Sequence, residues 1–371
     1  CSIEQNGRSV TFKTDRALGP NETLSVQAAT SELLFDRPGP REWAGDHVAD
    51  IVAVGAGLAM ALFALMVWVR KGRDETGRGV IVPQYDAPKK LTPAEAGLLM
   101  DFNLDGRDIS ATLIDLAVRG YVQIHDESSQ ILMFKNRKFK LELVKPDFAA
   151  LQAHEKALLE ALFPTPGVGA VVDMSRLDRN RMAKTVQSLR SSLRQRLIKE
   201  HGLFEQKAES LSKYMIVFGA IVAFAAFYGF EQSVGLGIGG VIGGLAFILF
   251  GLAMPRRSHA GVEMYEHIKG LQLYMGTAEK DRLAMLQSVD RPFAEPKKTV
   301  ELFEKLLPFA VALGVEKSWA KQFNDVLTQD PSWYKGDPLT GFQAGALASN
   351  LTSVSQSFSQ SYESHSSSSG G

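Results

Sequence analysis

The sequence predicts a mainly α-helical membrane protein with three transmembrane helices, winged-helix-like α+β modules on one side and the remnant of a β domain on the other. Three observations predict it. Val48–Val69, Tyr214–Phe230 and Val234–Met254 are charge-free or nearly so, close to the about 20 apolar residues a helix needs to cross the hydrocarbon of a bilayer. Basic residues flank one side only: Arg70, Lys71 and Arg73 follow the first stretch, Lys207 and Lys213 precede the second, and Arg256 and Arg257 follow the third. Between the first and second stretches, helical and strand periodicities alternate, as in compact α+β modules.

Composition averages hide this pattern. Of 371 residues, 45% are hydrophobic and 22% charged, with 41 Lys and Arg against 41 Asp and Glu. A neutral balance gives no global argument for nucleic acid or an acidic partner. Cys1 is the single cysteine, so no disulfide forms within the chain. As a first residue it reads either as a lipidated start or as a fragment edge. The fragment reading is preferred, because the chain runs at once into strand-like sequence.

Residues 1–46 read as the end of an extracytoplasmic β domain. Ser9–Thr14 and Leu24–Ala28 alternate polar and apolar around the turn signal Gly19-Pro20-Asn21. Two strands do not stand alone, which implies a larger sandwich-like domain. Asn21-Glu22-Thr23 matches a glycosylation acceptor, a triplet common by chance.

The first transmembrane helix is expected over 48–69, the second over 214–230 and the third over 234–254, with Glu231-Gln232-Ser233 as a tight outer turn. The excess of Lys and Arg on one flank places that flank in the cytoplasm and the N-terminus outside. In the third span Gly235, Gly239 and Gly243 lie four apart, as do Gly240 and Gly244. Such spacing makes a smooth face for helix packing and a route to an oligomer. The same glycines neither follow a strand nor open a βαβ unit, so a nucleotide loop is disfavoured. The hairpin spans hold no interior charge, which disfavours transport.

Residues 70–90 read as a linker. Over 91–146 comes a winged-helix-like module: Thr92, Pro93 and Glu95 open a helix with a capping box, and a second helix runs from Asp108 to Arg119 before Gly120. Strands follow at Tyr121–His125, Gln130–Phe134 and Lys138–Val144, the last two as a hairpin turning at Lys135-Asn136-Arg137. Residues 147–210 partly repeat the order, with a helix over Asp147–Phe163, a short strand at Val171-Val172 and a long helix over Ser175–Glu200.

That long helix sets Val186, Leu189, Leu193 and Leu197 on one side and Arg179, Lys184, Arg190, Arg194, Arg196 and Lys199 on the other. Three readings stay open. The basic side is a solvated face, a contact for anionic lipid headgroups or a protein partner, or a nucleic-acid surface; the last is disfavoured because fold alone does not imply function. Residues 258–330 form a C-terminal helical region, with helices over Gly261–Met275, Ala278–Gln287 and Thr299–Gly314 and a last one carrying Trp319, Phe323 and Val326. Residues 336–371, rich in Ser and Gly, read as a disordered tail.

The seven histidines are scattered without metal-ligand spacing, and no phosphate loop, nucleophile elbow or zinc-protease helix occurs. No enzyme activity, metal or cofactor is expected.

Leu91-Thr92-Pro93-Ala94-Glu95-Ala96-Gly97, the run Asp108–Tyr121 and the run Leu307–Ala320 together resemble the YciQ-like bacterial predicted membrane proteins, a family of unknown function. The resemblance covers nearly the whole chain. It implies a bacterial plasma membrane, a signal peptide and an outer β domain, and it supplies no catalytic residues. The expected function is a non-enzymatic envelope scaffold or signalling component with a protein partner for its cytoplasmic modules. The alternative is a membrane-tethered regulator whose modules bind nucleic acid or anionic lipid.

Overall fold

A computed structural model describes residues 2–6, 9–17, 19, 25, 47–127, 129–131, 134–136, 139–277, 298–336, 347, 349–353 and 356. The helix expected over Ala278–Gln287, the Asn21 triplet and most of the second expected N-terminal strand lie outside the described residues. Strands β1 (Ser2–Asn6) and β2 (Ser9–Lys13) pair antiparallel, with Ile3 opposite Phe12.

Among the described residues three helices are long and apolar enough to cross a membrane: α1 (Val48–Lys71), α6 (Gln206–Gln232) and α7 (Val234–Leu252). The turn between α6 and α7 is tighter than the expected three residues. Glu231 and Gln232 stay helical, and Ser233 alone closes α6 and caps α7, its hydroxyl accepting from the Leu236 N–H at 3.1 Å. Serine suits this position because its side chain satisfies an orphan amide while its backbone is extended. α7 lies between the other two. Its neighbours along α1, from Asp50 opposite Gly235 to Met60 opposite Gly243, progress in the same direction, so α1 and α7 run parallel. Both basic exits therefore lie on one side.

From residue 85 onward, the described residues outside these helices fold around one continuous hydrophobic cluster that includes Leu91, Leu141, Leu193, Leu271, Trp319 and Leu351. Its helices are α2 (Pro93–Asp101), α3 (Gly106–Val118), α4 (Ala153–Leu162), α5 (Arg179–Lys199), α8 (His259–Gly276), α9 (Val300–Ala312) and α10 (Glu316–Lys321). Thr92 and Glu95 form the expected capping box, and Asp105 and Asp108 form a second, so α3 opens two residues earlier than its apolar pattern implies. α3 is buried almost throughout and packs beneath α9, some 200 residues along the chain. Gly97 lets α3 approach: a Cβ there would meet the Asp108 carboxylate.

The strands are β3 (Val122–Asp126), β4 (Ser129–Ile131), β5 (Phe134–Asn136), β6 (Phe139–Leu143), β7 (Val171–Asp173) and β8 (Tyr334–Lys335). The expected hairpin is corrected here. β6 pairs antiparallel with β3, Val122 opposite Leu143, while β4 and β5 pair separately; Lys135 and Asn136 lie in a strand rather than a turn. The buried faces of β3 and β6 alternate in step, and that match sets the register. One four-stranded sheet results, in the order β7-β6-β3-β8, with β8 parallel to β3. The strand of the second expected module thus joins the sheet of the first.

Within the stretch read as a disordered tail, residues 347 and 349–353 are helical. Leu351 is fully buried, and Asn350 Nδ2 donates to Asp126 Oδ2 at 2.7 Å beside the Tyr334 hydroxyl. Two leucines four apart, Leu347 and Leu351, hold this turn in the core despite the surrounding serines.

Candidate functional site

The junction under the three membrane-length helices is built on Arg257. This residue follows the end of α7 and is 7% exposed. Its Nη1 donates to Asp74 Oδ2 at 2.6 Å, its Nε to the Leu99 carbonyl at 2.9 Å and its Nη2 to the Met100 carbonyl at 2.6 Å. The two carbonyls belong to the last turn of α2, where acceptors lack helical partners and a cation suits the helix dipole. Phe102 makes this geometry possible. It ends α2 in the left-handed region, φ 63°, and its ring lies 4.2 Å from the guanidinium, as does that of Tyr265 on α8. Asp74 lies three residues beyond α1 and also accepts from the Arg257 N–H at 2.7 Å. One side chain thus joins the exits of two membrane-length helices to two helices of the body. Trp68 adds a neighbouring tie, donating to the Ala253 carbonyl at 2.9 Å. In the sequence Arg257 reads only as an orientation marker; the fork geometry of arginine is the one signal of its second role.

The basic side of α5 divides into two groups. Arg194 pairs with Glu209 of α6 at 2.7 Å and reaches the Phe102 carbonyl at 3.4 Å. Arg196 lies 3.4 Å from the fully buried Glu95 and 3.0 Å from Glu200. Arg190 donates to the Leu104 carbonyl at 3.0 Å while remaining exposed. Arg179, Lys184 and Lys199 are exposed and have no ion pair among the described residues. Arg194 and Arg196 therefore hold the body together, and the free charge gathers mainly toward the start of the helix.

The glycines of α7 serve two faces. A Cβ at Gly235 or Gly239 would meet the backbone of Asp50 or Ala53 on α1, and one at Gly243 would meet Met60. A Cβ at Gly240 or Gly244 would meet Ala226 or Ala223 on α6. Both faces are covered by the chain's own helices, so the oligomer route expected through them is already occupied. Near the turn between α6 and α7 the Gly235 N–H donates to Asp50 Oδ1 at 2.8 Å, pinning α1 to the start of α7.

Behind α5 lies a buried polar group. Arg196 Nη1 is 3.4 Å from His154 Nδ1, and His201 Nε2 is 3.5 Å from Glu95 Oε1 without forming a hydrogen bond. Burial, with Arg196 and Arg119 nearby, pushes His154 down to about 4. Arg119 bridges Asp115 at 3.0 Å and Glu155 at 2.7 Å. Burial pushes Asp115 up to about 6, against the opposing effect of Arg119. Two cavities flank the segment 86–91. One of about 890 Å³ is lined by Asp115, Arg119, Glu155 and Glu301, the other of about 750 Å³ by Arg78, Lys90, His201 and Glu263. Among the described residues no group of His, Cys, Asp or Glu could hold a metal ion.

Three membrane-length helices, tied through the buried Arg257 side chain to a helical body with one mixed sheet, define a membrane protein. The chain belongs to the family described as "Predicted membrane protein (DUF2207) C-terminal domain", whose match covers residues 81–323, most of the body and two of the three membrane-length helices. No curated protein and no solved structure matches the chain.

Proposed function

We propose that the protein is a non-enzymatic scaffold or signalling component of a bacterial inner membrane, acting through protein contacts of a cytoplasmic body. The carrying observation is the Arg257 junction, which ties anchor to body through one side chain. A protein that only needed tethering would be served by a single helix and a flexible linker. The parallel course of α1 and α7 brings Arg70, Lys71, Arg256 and Arg257 to one side, which supports a cytoplasmic body and an outer N-terminus.

The exposed face that supports a partner contact is the start of α5, at Arg179 and Lys184. A photo-crosslinking residue in place of Lys184 in cells gives a discrete adduct on this reading. Failure to trap any protein there, with normal expression, contradicts it. The same exposed cations favour anionic lipid as a second reading, which predicts stronger retention of the solubilised chain by anionic than by neutral vesicles. The winged-helix-like order α2-α3-β3-β6 gives little support to nucleic acid. The helix that would enter a groove, α3, lies under α9 with Ile109, Leu113 and Leu116 buried.

A further inference from the structure

The cavity of about 750 Å³ lies within the size range of small-ligand sites and has an unusual set of walls. Arg78 follows the last residue of α1 by seven positions, Leu203 precedes the first residue of α6 by three, and Ala260 follows the last residue of α7 by eight. Each membrane-length helix therefore sends its adjoining segment into the same cavity. The fourth wall is the segment 80–91.

Its charges do not cancel locally. Two of the three acids are paired, Glu263 with Arg78 at 3.3 Å and Asp86 with Lys305 at 3.5 Å. Glu266 Oε1 accepts only the backbone N–H of Arg78 at 2.7 Å and its buried Oε2 has no partner, which leaves one carboxylate against the two ammonium groups of Lys89 and Lys90. Lys89 and Lys90 are exposed, and neither has a hydrogen bond or ion pair among the described residues. His201, mostly buried, lines the same cavity, and its Nε2 has no hydrogen-bond partner. Apart from Gln84 and His267, the rest of the lining is largely apolar, including Val80, Val82, Leu91, Leu203 and Met264; Val80 is 69% exposed. Unpaired ammonium groups beside apolar wall, at the level where the membrane-length helices end, match a phosphate carried on an amphiphile.

We propose that this cavity binds the phosphate of an anionic glycerophosphate headgroup, one that bears no balancing cation of its own, with Lys89 and Lys90 as its cationic contacts and Val80 and Val82 against the adjoining apolar portion. It goes beyond the scaffold reading, which does not use these residues. It also differs from a lipid contact on α5, because the site lies between the linker and α8. Two sources carry the same chemistry: a phospholipid of the surrounding bilayer and a soluble glycerol phosphate.

The test is hydrogen exchange on the full chain in nanodiscs of phosphatidylcholine alone, the same with soluble glycerol 3-phosphate, and nanodiscs containing phosphatidylglycerol. The expected result is slowed exchange at 80–91 and 260–267 on titration with the phosphate-ester probe. Protection by phosphatidylglycerol alone assigns the lipid, and equal protection by glycerol 3-phosphate assigns the soluble ester. The double variant Lys89→Ala/Lys90→Ala shifts the titration to concentrations on the order of tenfold higher. Arg179→Ala/Lys184→Ala, on exposed positions of α5, leaves it unchanged. Both lysines are exposed, so their replacement spares the fold. No protection by either probe overturns the proposal. So does protection that survives loss of Lys89 and Lys90, or that is lost equally in the α5 control.

Discussion

Arg257 Nη1 lies 2.6 Å from Asp74 Oδ2, and this pair ties the segment that follows the third membrane-length helix to the segment that follows the first. It sits on the carbonyl end of α2 and between the rings of Phe102 and Tyr265, so it is also the point where the anchor meets the body. Arg257 is buried while the Asp74 carboxylate faces water, so removing Arg257 costs chiefly by leaving the Leu99 and Met100 carbonyls without their donor.

Arg257→Ala therefore destabilises the detergent-solubilised protein by about 1–3 kcal/mol. Arg257→Lys recovers only part of this, because an ammonium cannot serve Asp74 and two carbonyls in one plane. Thermal unfolding followed by near-ultraviolet dichroism measures both. A midpoint for Arg257→Lys equal to that of the parent contradicts the fork geometry.

Glycine positions in the spans separate sharply. A Cβ at Gly239 would meet the Ala53 carbonyl, whereas one at Gly55 would meet nothing within 4 Å. Gly239→Ala costs about 1–3 kcal/mol by forcing α1 and α7 apart, and Gly55→Ala is neutral within about 0.5 kcal/mol. Parallel unfolding of the two variants in one detergent decides the matter; equal losses refute the assigned faces.

Two buried groups act oppositely on acid stability. His154, near 6.5 when unfolded and about 4 in the fold, resists protonation, so stability is lost as pH falls below 6.5. Asp115, 3.8 when unfolded and about 6 in the fold, holds its proton, so stability is gained as pH falls from 6 towards 4. Asp115→Asn removes the gain, and its unfolding midpoint drops more steeply on acidification than that of the parent. His154→Gln drops less steeply. Superimposable pH profiles for the three proteins would falsify this assignment.

Leu351→Ala costs about 2–5 kcal/mol, since its side chain is fully buried in the main core. Limited proteolysis that releases residues 337–371 from the parent without changing its unfolding midpoint would contradict this packing.

The sequence made some of this legible and hid the rest for physical reasons. Spans, the Thr92–Glu95 capping box and the alternation in 139–143 are local patterns, and local patterns survive in one dimension. The partner of β6 did not. Period-2 alternation names a buried face, but two nearby strands competed for it, and Val122 and Ile124 matched it best. The docking of α9 on α3 and the parallel strand at Tyr334 join segments some 200 residues apart, where amphipathicity says that a face is buried and not against what. The basic side of α5 showed its charge in the sequence. Its division into structural Arg194 and Arg196 and free Arg179 and Lys184 depends on Glu209 and Glu95, which sequence spacing does not bring near.

Side-specific cysteine labelling tests the central claim most directly, that a water-facing cytoplasmic body is fixed beneath three spans. Cys1→Ser removes the single cysteine. Ser233→Cys then marks the turn between α6 and α7, and Lys184→Cys marks the exposed start of α5. A membrane-impermeant maleimide applied to intact spheroplasts is predicted to label position 233 and to reach position 184 only after permeabilisation. Labelling of position 184 in intact spheroplasts, with position 233 protected, would contradict the account.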